Sequence, residues 1–202
     1  MSLSGHFIHR AVANAAHQTA LRFGVERSIA AKLTPVTVGL ILFALRRNTA
    51  APLGAAGLSF ALNQFREDLL ADKKRLGAAD IRARGERVFR KVFGGRSSRA
   101  VTAIADLAEI DPRNAASILA ISTAAVVSAL AKTRRDLNLS NSQTAGVLIS
   151  EAAMVENTDP EILQQVRDWV FEPPLVIRWL KGTATGTERR NKERPRTAPA
   201  AA

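Results

Sequence analysis

The sequence predicts an all-α, multihelical protein with two similar halves and no significant sheet. Alanine is very common and tyrosine is absent, and this composition favours helices over strands. Proline follows Thr34, Asp111 and Asp159, which is typical of an N-cap residue before a proline in the first helical turn. No segment shows sustained alternation of apolar and polar residues, the pattern of a half-buried strand.

Helical periodicity, caps and turn residues divide the chain into successive predicted helices. No acidic residue precedes Glu26 in the chain. In the first predicted helix, Phe7, Ala11 and other apolar residues share one face. Ser140 and Gln143 have the spacing of a capping box, in which each side chain accepts a hydrogen bond from the other residue's backbone amide. In order, the helices are predicted near residues 5–22, 25–32, 35–47, 54–71, 79–93, 98–109, 112–135, 141–155 and 160–171.

A weak internal repeat divides the chain into two predicted halves. VGLILFALRRN (38–48) aligns with TAAVVSALAKT (123–133), and the AAGLSFALNQF that follows the first aligns with TAGVLISEAAM after the second. Duplication of a helical unit explains this pattern, and chance similarity between alanine-rich helices is the competing explanation. We predict an N-terminal helical half at 1–78, a C-terminal helical half at 79–180 and a disordered basic tail at 181–202, which is too polar to bury a core.

Two apolar stretches raise the question of a membrane span. Residues 114–131 carry no charge between Arg113 and Lys132, a length at the lower limit for crossing a bilayer. Because this stretch contains Asn114, several hydroxyl side chains and many alanines, we predict a buried central helix instead. The other stretch, PVTVGLILFAL, is predicted to be too short to span. A third segment, LVIRWLK at 175–181, is predicted to dock on its own domain, with a partner or a membrane surface as alternatives.

The net charge of +11 is the strongest compositional feature. It implies attraction to polyanions such as nucleic acid, anionic lipid or an acidic protein, although the same excess also keeps an alanine-rich chain soluble. The absence of cysteine excludes disulfides and thiolate metal sites and fits a reducing compartment. We predict a cytoplasmic protein, since the N-terminal residues lack the apolar run and cleavage site of a secretory signal.

The segment VFGGRSSRA (92–100) has two interpretations. The preceding ERVFRKVF is helical in pattern, so Gly94 or Gly95 is predicted as a left-handed C-cap and Ser97 or Ser98 as the N-cap of the next helix. The alternative is an anion site at that helix N-terminus, beside Arg96 and Arg99. The GxxxxGK[ST] pattern of a phosphate loop is absent.

Residues 101–120 have the sequence pattern of a helix-turn-helix, with a turn at 109–111. A DNA-reading helix would place Arg113, Asn114 and Ser117 at bases and phosphates. The rest of that helix is almost entirely apolar, so only its first turn could touch DNA. The segment 66–99 has eleven basic and five acidic residues and offers nonspecific phosphate contacts. The candidate anion- or nucleic-acid-binding residues are Arg82, Arg84, Arg87, Arg90, Lys91, Arg96, Arg99, Arg113 and Asn114.

Patterns for catalysis or metal binding are weak. His6, His9 and His17 all fall in the first predicted helix, and the first two share a face without further ligands nearby. Asp106 and Glu109 are interpreted as an exposed helical pair and not as an acid–base couple. No HExxH, GxSxG or GxGxxG motif occurs. We therefore predict no catalytic residue, no metal site, no cofactor and no small-molecule substrate.

The run RVFRKVFGGRSSRAVTAIADLAEIDPRNAASILAISTAAVVSALAKTRRDLNLSNSQTAGVLISEA resembles the YidB-like bacterial proteins, a helical family with domain of unknown function 937. The resemblance rests on a helix ending at Phe93-Gly94-Gly95, a loop into Asp111-Pro112, a long apolar helix and a Leu139-Ser140 start to the next. LTPVTVGLILFALRRN resembles the other half of the family, so the resemblance covers about 25–155. The chain is more basic and less glycine-rich than that pattern. The resemblance implies a multihelical fold and supplies no catalytic residues.

These observations together predict a non-enzymatic bacterial interaction or scaffold protein. Apolar surplus in short helices often needs a partner to cover it, so we expect self-association or a protein partner. A DNA- or RNA-binding protein that uses the basic middle segment and the tail is the first alternative. A peripheral membrane-surface protein is the second.

Overall fold

The computed structural model describes the backbone of residues 5–50, 54–157 and 160–171. Every regular element in these ranges is helical, which confirms the predicted all-α, multihelical class. The α-helices are α1 (Gly5–Arg22), α2 (Arg27–Thr49), α3 (Gly54–Asn63), α4 (Lys73–Leu76), α5 (Ala79–Phe93), α6 (Ser97–Ala108), α7 (Pro112–Asp136), α8 (Asn141–Glu156) and α9 (Pro160–Phe171), with a 3-10 turn (Gly94–Arg96) between α5 and α6.

Helix α7 is the axis of the fold. Ala115 and every residue of 118–131 are buried, and α1, α2, α3, α5, α6 and α8 all pack against this helix. The prediction of a buried central helix is therefore confirmed. Removing the apolar side chains of this helix from water contributes to the hydrophobic driving force for the fold.

Helices α5 and α7 approach one another closely in the core. Gly85 lies in the buried stripe of α5. A Cβ atom added there would clash with the carbonyl oxygen of Ala120 and lie 2.9 Å from its carbonyl carbon and 3.3 Å from the Cβ of Ala124. A glycine facing alanines thus lets the two backbones touch, and no larger residue fits without separating the helices.

Helix α2 corrects two predictions. The helices predicted at 25–32 and 35–47 are one continuous helix with Pro35 inside it, and Thr34 is not an N-cap, because its buried hydroxyl donates to the Ala30 carbonyl at 2.7 Å. A proline leaves the carbonyl four residues earlier without its helical partner. That residue, Ala31, is exposed, so water can satisfy the carbonyl while buried residues on both sides of Pro35 hold the helix together.

The merged helix also changes the comparison with membrane spans. Helices α2 and α7, with 23 and 25 residues, are both long and apolar enough to cross a bilayer by length and composition, because the PVTVGLILFAL stretch belongs to a longer helix than the sequence predicted. In the fold, 67% of the most apolar window of α2 and 83% of that of α7 are buried inside the protein. Core helices of soluble proteins pass the same test of length and composition.

The helix predicted at 54–71 ends at Asn63, because a hydrogen-bonded turn replaces its second half. Ser128 of α7 accepts a hydrogen bond from the Leu69 amide at 3.2 Å and donates to the Glu67 carbonyl at 2.9 Å. Asp72 then caps the short α4, accepting from two backbone amides at 3.0 Å. Aspartates compete with helical hydrogen bonding in this way.

Two predicted caps are confirmed. Asp111 accepts from the Arg113 amide at 2.7 Å, and Ser140 and Gln143 form the capping box, with bonds of 3.2 and 2.9 Å. Asp159 lies outside the described residues, as does the predicted basic tail.

Residues up to Val170 form one compact unit, and a second unit begins at Phe171. The predicted similarity of two halves stays a prediction.

Candidate functional site

An open groove of about 670 Å³ lies where α5, the 3-10 turn, α6 and the start of α7 meet. This is the location of the glycine–arginine–serine segment at 92–100. Its lining combines glycines of the turn, hydroxyl groups of α6, and aromatic, charged and small residues. The lining includes Phe89, Arg90, Gly94, Gly95, Ser97, Ser98, Thr102 and Pro112.

The joint between α5 and α6 is partly as predicted. Gly94 ends α5, and its amide donates to the Arg90 carbonyl. Its φ of +56° favours glycine, but with a ψ of −134° the residue does not have the predicted left-handed helical conformation. The prediction of a serine N-cap is wrong, because the 3-10 turn runs directly into α6 and the residue before that helix is Arg96, without a side-chain cap. The Ser97 hydroxyl donates back to the Gly94 carbonyl at 2.7 Å, and its amide does the same.

The charges on the groove wall are balanced within the protein. Arg90 forms a hydrogen-bonded ion pair with Glu86 at 2.6 Å on the same helix. The Ser97 hydroxyl and amide already donate to the Gly94 carbonyl, so an anion in the groove would meet the dipole of α6 and other polar groups such as Ser98 and Thr102. Glu86 also lines the groove, and its carboxylate opposes anion binding.

The predicted basic residues of α5 separate into two groups. Arg82 and Arg87 are exposed. Arg84 points inward instead, donating to the Gln64 carbonyl at 2.9 Å and to Glu67, with its guanidinium 5.4 Å from the Phe65 ring centre. The Arg84 hydrogen bond holds the pKa of Glu67 below its ordinary value. Arg84 is therefore a structural residue that fastens α5 to the turn after α3.

The remaining predicted anion-binding residues differ in how far they are exposed to solvent. The ammonium of Lys91 lies 3.7 Å from the Phe60 ring centre, a cation–π contact. Arg96, Arg99 and Asn114 are half-buried and Arg113 is exposed. Beyond its first turn α7 enters the core, as the apolar sequence predicted, so of its predicted DNA-contacting positions Arg113 is the one fully accessible from outside.

A cluster that sequence reasoning missed fastens α9 to α2 and α8. The guanidiniums of Arg46 and Arg167 lie 5.3 and 5.2 Å from the Phe43 ring centre. The same two arginines pair with Glu156 at 3.4 and 3.6 Å. Cation–π and ion-pair contacts that share one carboxylate and one ring hold these helices together.

A second missed feature is the buried carboxyl of Glu151. Its side chain is 2% exposed and belongs to the buried face of α8 with Leu148, Ala152 and Val155. Burial alone raises the pKa of Glu151 from its ordinary value of 4.5 to about 7, because a low-dielectric environment disfavours the charged form. Its position on the apolar stripe of α8 could have been recognised from the sequence, since 144, 148, 151 and 155 share a helical face.

The described residues also leave four large apolar side chains at the surface. Phe60, Leu137, Ile149 and Trp169 are 42%, 52%, 51% and 49% exposed. Ile149 lies outside the buried stripe of α8, so it projects from a helix whose opposite side is packed. Large apolar groups on an outer surface are typical of interaction sites when they lie close together.

Metal-binding chemistry finds no geometric support among the described residues, where no group of three or more His, Asp or Glu side chains could hold an ion. The side chains of His6 and His9 lie outside the described part. His17 is half-buried on α1.

A comparison with known protein families identifies the family of this chain. The model of a family described as "Bacterial protein of unknown function (DUF937)" matches residues 3–133. The chain belongs to this bacterial family. The match begins at α1 and ends within α7, so it includes the groove and the α5–α7 contact. It confirms the family predicted from sequence, whereas the YidB-like name stays a prediction.

The matched region of this DUF937 protein stops before α8, which carries Glu151 and Ile149. No curated protein and no solved structure matches the chain. The surface formed by α8 is therefore a feature that the family match does not describe.

Proposed function

We propose that this DUF937 protein is a non-enzymatic helical interaction protein of the bacterial cytoplasm that associates with itself. The observation that supports this proposal is the set of four large apolar side chains, Phe60, Leu137, Ile149 and Trp169, that are about half exposed at the surface of the described residues. Covering such groups is favourable by about 25 cal/mol per Å² of apolar surface. A protein partner provides that cover without any cofactor or substrate.

Sedimentation velocity of the full chain tests this proposal. We expect the weight-average sedimentation coefficient to rise with concentration between about 5 and 200 μM, as it does for a weak, reversible association of small interfaces. A coefficient that stays at the monomer value over this whole range contradicts the proposed function.

Nucleic-acid binding is a second candidate, favoured by the exposure of Arg82, Arg87 and Arg113 on a chain of net charge +11. These arginines are on α5 and on the first turn of α7, helices that pack against one another. If they contact phosphates, each releases about one condensed counterion, so duplex DNA binding should weaken steeply with salt.

Changing all three arginines to glutamine should therefore reduce the slope of log K against log salt by about 3. The matched control changes Arg27 and Lys32, exposed residues of α2, and should leave most of the slope intact. Fluorescence anisotropy with a labelled duplex gives both slopes. Absence of binding at low salt, or equal slopes for both variants, excludes this candidate.

A further inference from the structure

Helix α9 is held in a groove of α2 and α8 by one inserted leucine. Leu163 of α9 is 3% exposed. A Cβ atom added at Gly39 of α2 would lie 2.7 and 2.8 Å from the two Leu163 methyl carbons and 3.2 Å from a methyl carbon of Val155. Leu163 thus fills a recess that exists because α2 has a glycine at this position. We call the groove formed by Gly39 and Phe43 of α2 with Val155 and Glu156 of α8 the α9 groove.

A charged contact lies one helical turn beyond this recess. Arg167 follows Leu163 by four residues on α9, and Phe43 follows Gly39 by four residues on α2, so each pair shares one face of its helix. The Arg167 guanidinium lies 5.2 Å from the Phe43 ring centre and 3.6 Å from the Glu156 carboxylate. The α9 groove therefore fits a helix that carries an apolar side chain and, four residues later, a guanidinium.

The hold on α9 is made by side chains along one face of a short helix. Val170 continues this face and is fully buried. Among the helices that the structure describes, α9 is the one without extensive close backbone packing against another helix. Residues 157–159 alone join it to α8. Elements with few packing contacts open at a lower free-energy cost than the core does, so α9 is the helix that leaves its groove most readily.

A second copy of the chain offers the same groove and the same helix. If each copy places its α9 in the groove of the other, Leu163 again fills the Gly39 recess and Arg167 again meets Phe43 and Glu156. Exchange of an identical element between copies is a low-cost route to a dimer, because the contacts of the closed monomer are formed again. The structure thus specifies the occupant, since α9 is the helix whose shape and charge match this groove.

From the fit of α9 to its groove and its three-residue connection to α8, we infer that two copies of this chain associate by exchanging α9. The arrangement is two-fold, with each copy giving one helix and receiving one. This inference rests on the proposed self-association and names the element that the copies exchange.

Two variants that do not fit themselves test the exchange. Gly39→Ala places a methyl group where the Leu163 methyl groups lie, and Leu163→Ala empties the same recess. Each variant therefore has a mismatch between its own groove and its own α9. In an equimolar mixture, reciprocal exchange gives the filled groove the shortened helix and gives the native groove the native leucine, so both mismatches are removed together.

The exchange predicts a gain in affinity on mixing alone. Each variant by itself should associate about as strongly as the wild type, because its mismatch is present in the closed and the exchanged forms alike. The mixture should associate about tenfold more tightly than either variant, the factor being the coupling between two residues in contact. Sedimentation velocity of the full-length chains between about 5 and 200 μM, the range for weak association, measures all three.

Two controls keep the measurement specific. Urea unfolding of both variants and of the chain that carries both changes measures the coupling within one chain. Gly146→Ala and Ile149→Ala are the matched pair outside the α9 groove, since a Cβ atom at Gly146 meets nothing within 4 Å and Ile149 is 51% exposed. Their mixture should show no gain over its components. Circular dichroism verifies that each variant is folded.

The outcomes separate the exchange from self-association itself. A mixture that associates no more tightly than its components overturns the exchange, and the proposed function stands if the wild type still associates. Absence of coupling in urea overturns it as well, because Leu163 would then not occupy the Gly39 recess. A wild-type chain that remains monomeric over the whole concentration range overturns both the exchange and the proposed function.

Discussion

Replacing Glu151 with glutamine should remove a pH dependence of stability that the native protein shows between about pH 4.5 and pH 7. The pKa of this buried carboxyl is raised to about 7 in the folded protein from an ordinary value of 4.5. Between these values the folded state binds more protons than the unfolded state, so the free energy of unfolding falls as the pH rises. Above about pH 7 both states are ionised at this site and the loss is complete.

The expected effect is on the order of 2 to 3 kcal/mol, because each pKa unit corresponds to about 1.4 kcal/mol. Urea unfolding at pH 5 and pH 8 measures it. Glu151→Gln should match the native protein within about 0.5 kcal/mol at pH 5 and exceed its stability by about 2 kcal/mol at pH 8, because glutamine is neutral at both. Other titrating groups cancel in this comparison of two proteins that differ at one position.

Glu161→Gln is the matched control, since Glu161 is exposed at the start of α9 and should follow the native protein at both pH values. If Glu151→Gln also keeps a constant difference from the native protein between pH 5 and pH 8, the carboxyl does not titrate in a buried environment and the packing of α8 described above is wrong.

The sequence predicted the axis of the fold because α7 combines two independent indications. Asp111-Pro112 marks its start through cap chemistry that depends on local residues alone, and the uncharged stretch that follows leaves no solvent-facing side. The structure agrees on both, with the Asp111 cap and continuous burial at 118–131. A helix can therefore be predicted from sequence where its capping residues and its burial pattern indicate the same element.

The sequence misled where tertiary contacts override local preference. Thr34-Pro35 has the same form as Asp111-Pro112, yet α2 continues through it, because buried residues on both sides hold it against its neighbours and the freed carbonyl belongs to an exposed residue. The early end of α3 depends on Ser128, about 60 positions away in sequence. No local pattern contains that information.

The candidate site was predicted only in part for a related reason. The glycine–arginine–serine segment does form a joint between helices, and Gly94 has the predicted positive φ. Which arginines face outward depends on the phase of α5 relative to the rest of the fold: Arg82 and Arg87 are exposed, while Arg84 is engaged with Glu67 and Phe65. The helical spacing of α8 places Glu151 on the same face as Leu148 and Val155 and leaves Ile149 outside it. Which of these faces is buried follows from the packing of α8 against α2, and the spacing alone does not show that packing.

The central claim of this account is that α7 is an enclosed axis with its backbone in direct contact with α5. Gly85 is the position that tests this claim best, because the backbone of Ala120 fills the space that a Cβ atom would need there. Gly85→Ala adds one methyl group, and on an isolated helix this change is stabilising by about 1 kcal/mol. In this fold the methyl group must push α5 away from α7, and overpacking of this kind costs about 1 to 3 kcal/mol or more.

The free energy of unfolding of Gly85→Ala, measured in urea beside Gly146→Ala, tests the claim most directly. Gly146 is also helical, but an added Cβ meets nothing within 4 Å, so its substitution should raise the stability by about 0.5 to 1 kcal/mol. Gly85→Ala should instead lower it by about 1 to 2 kcal/mol, the cost of overpacking less the helical gain. If the two substitutions stabilise the protein equally, α5 does not touch α7 at Gly85, and the enclosed axis described here is contradicted.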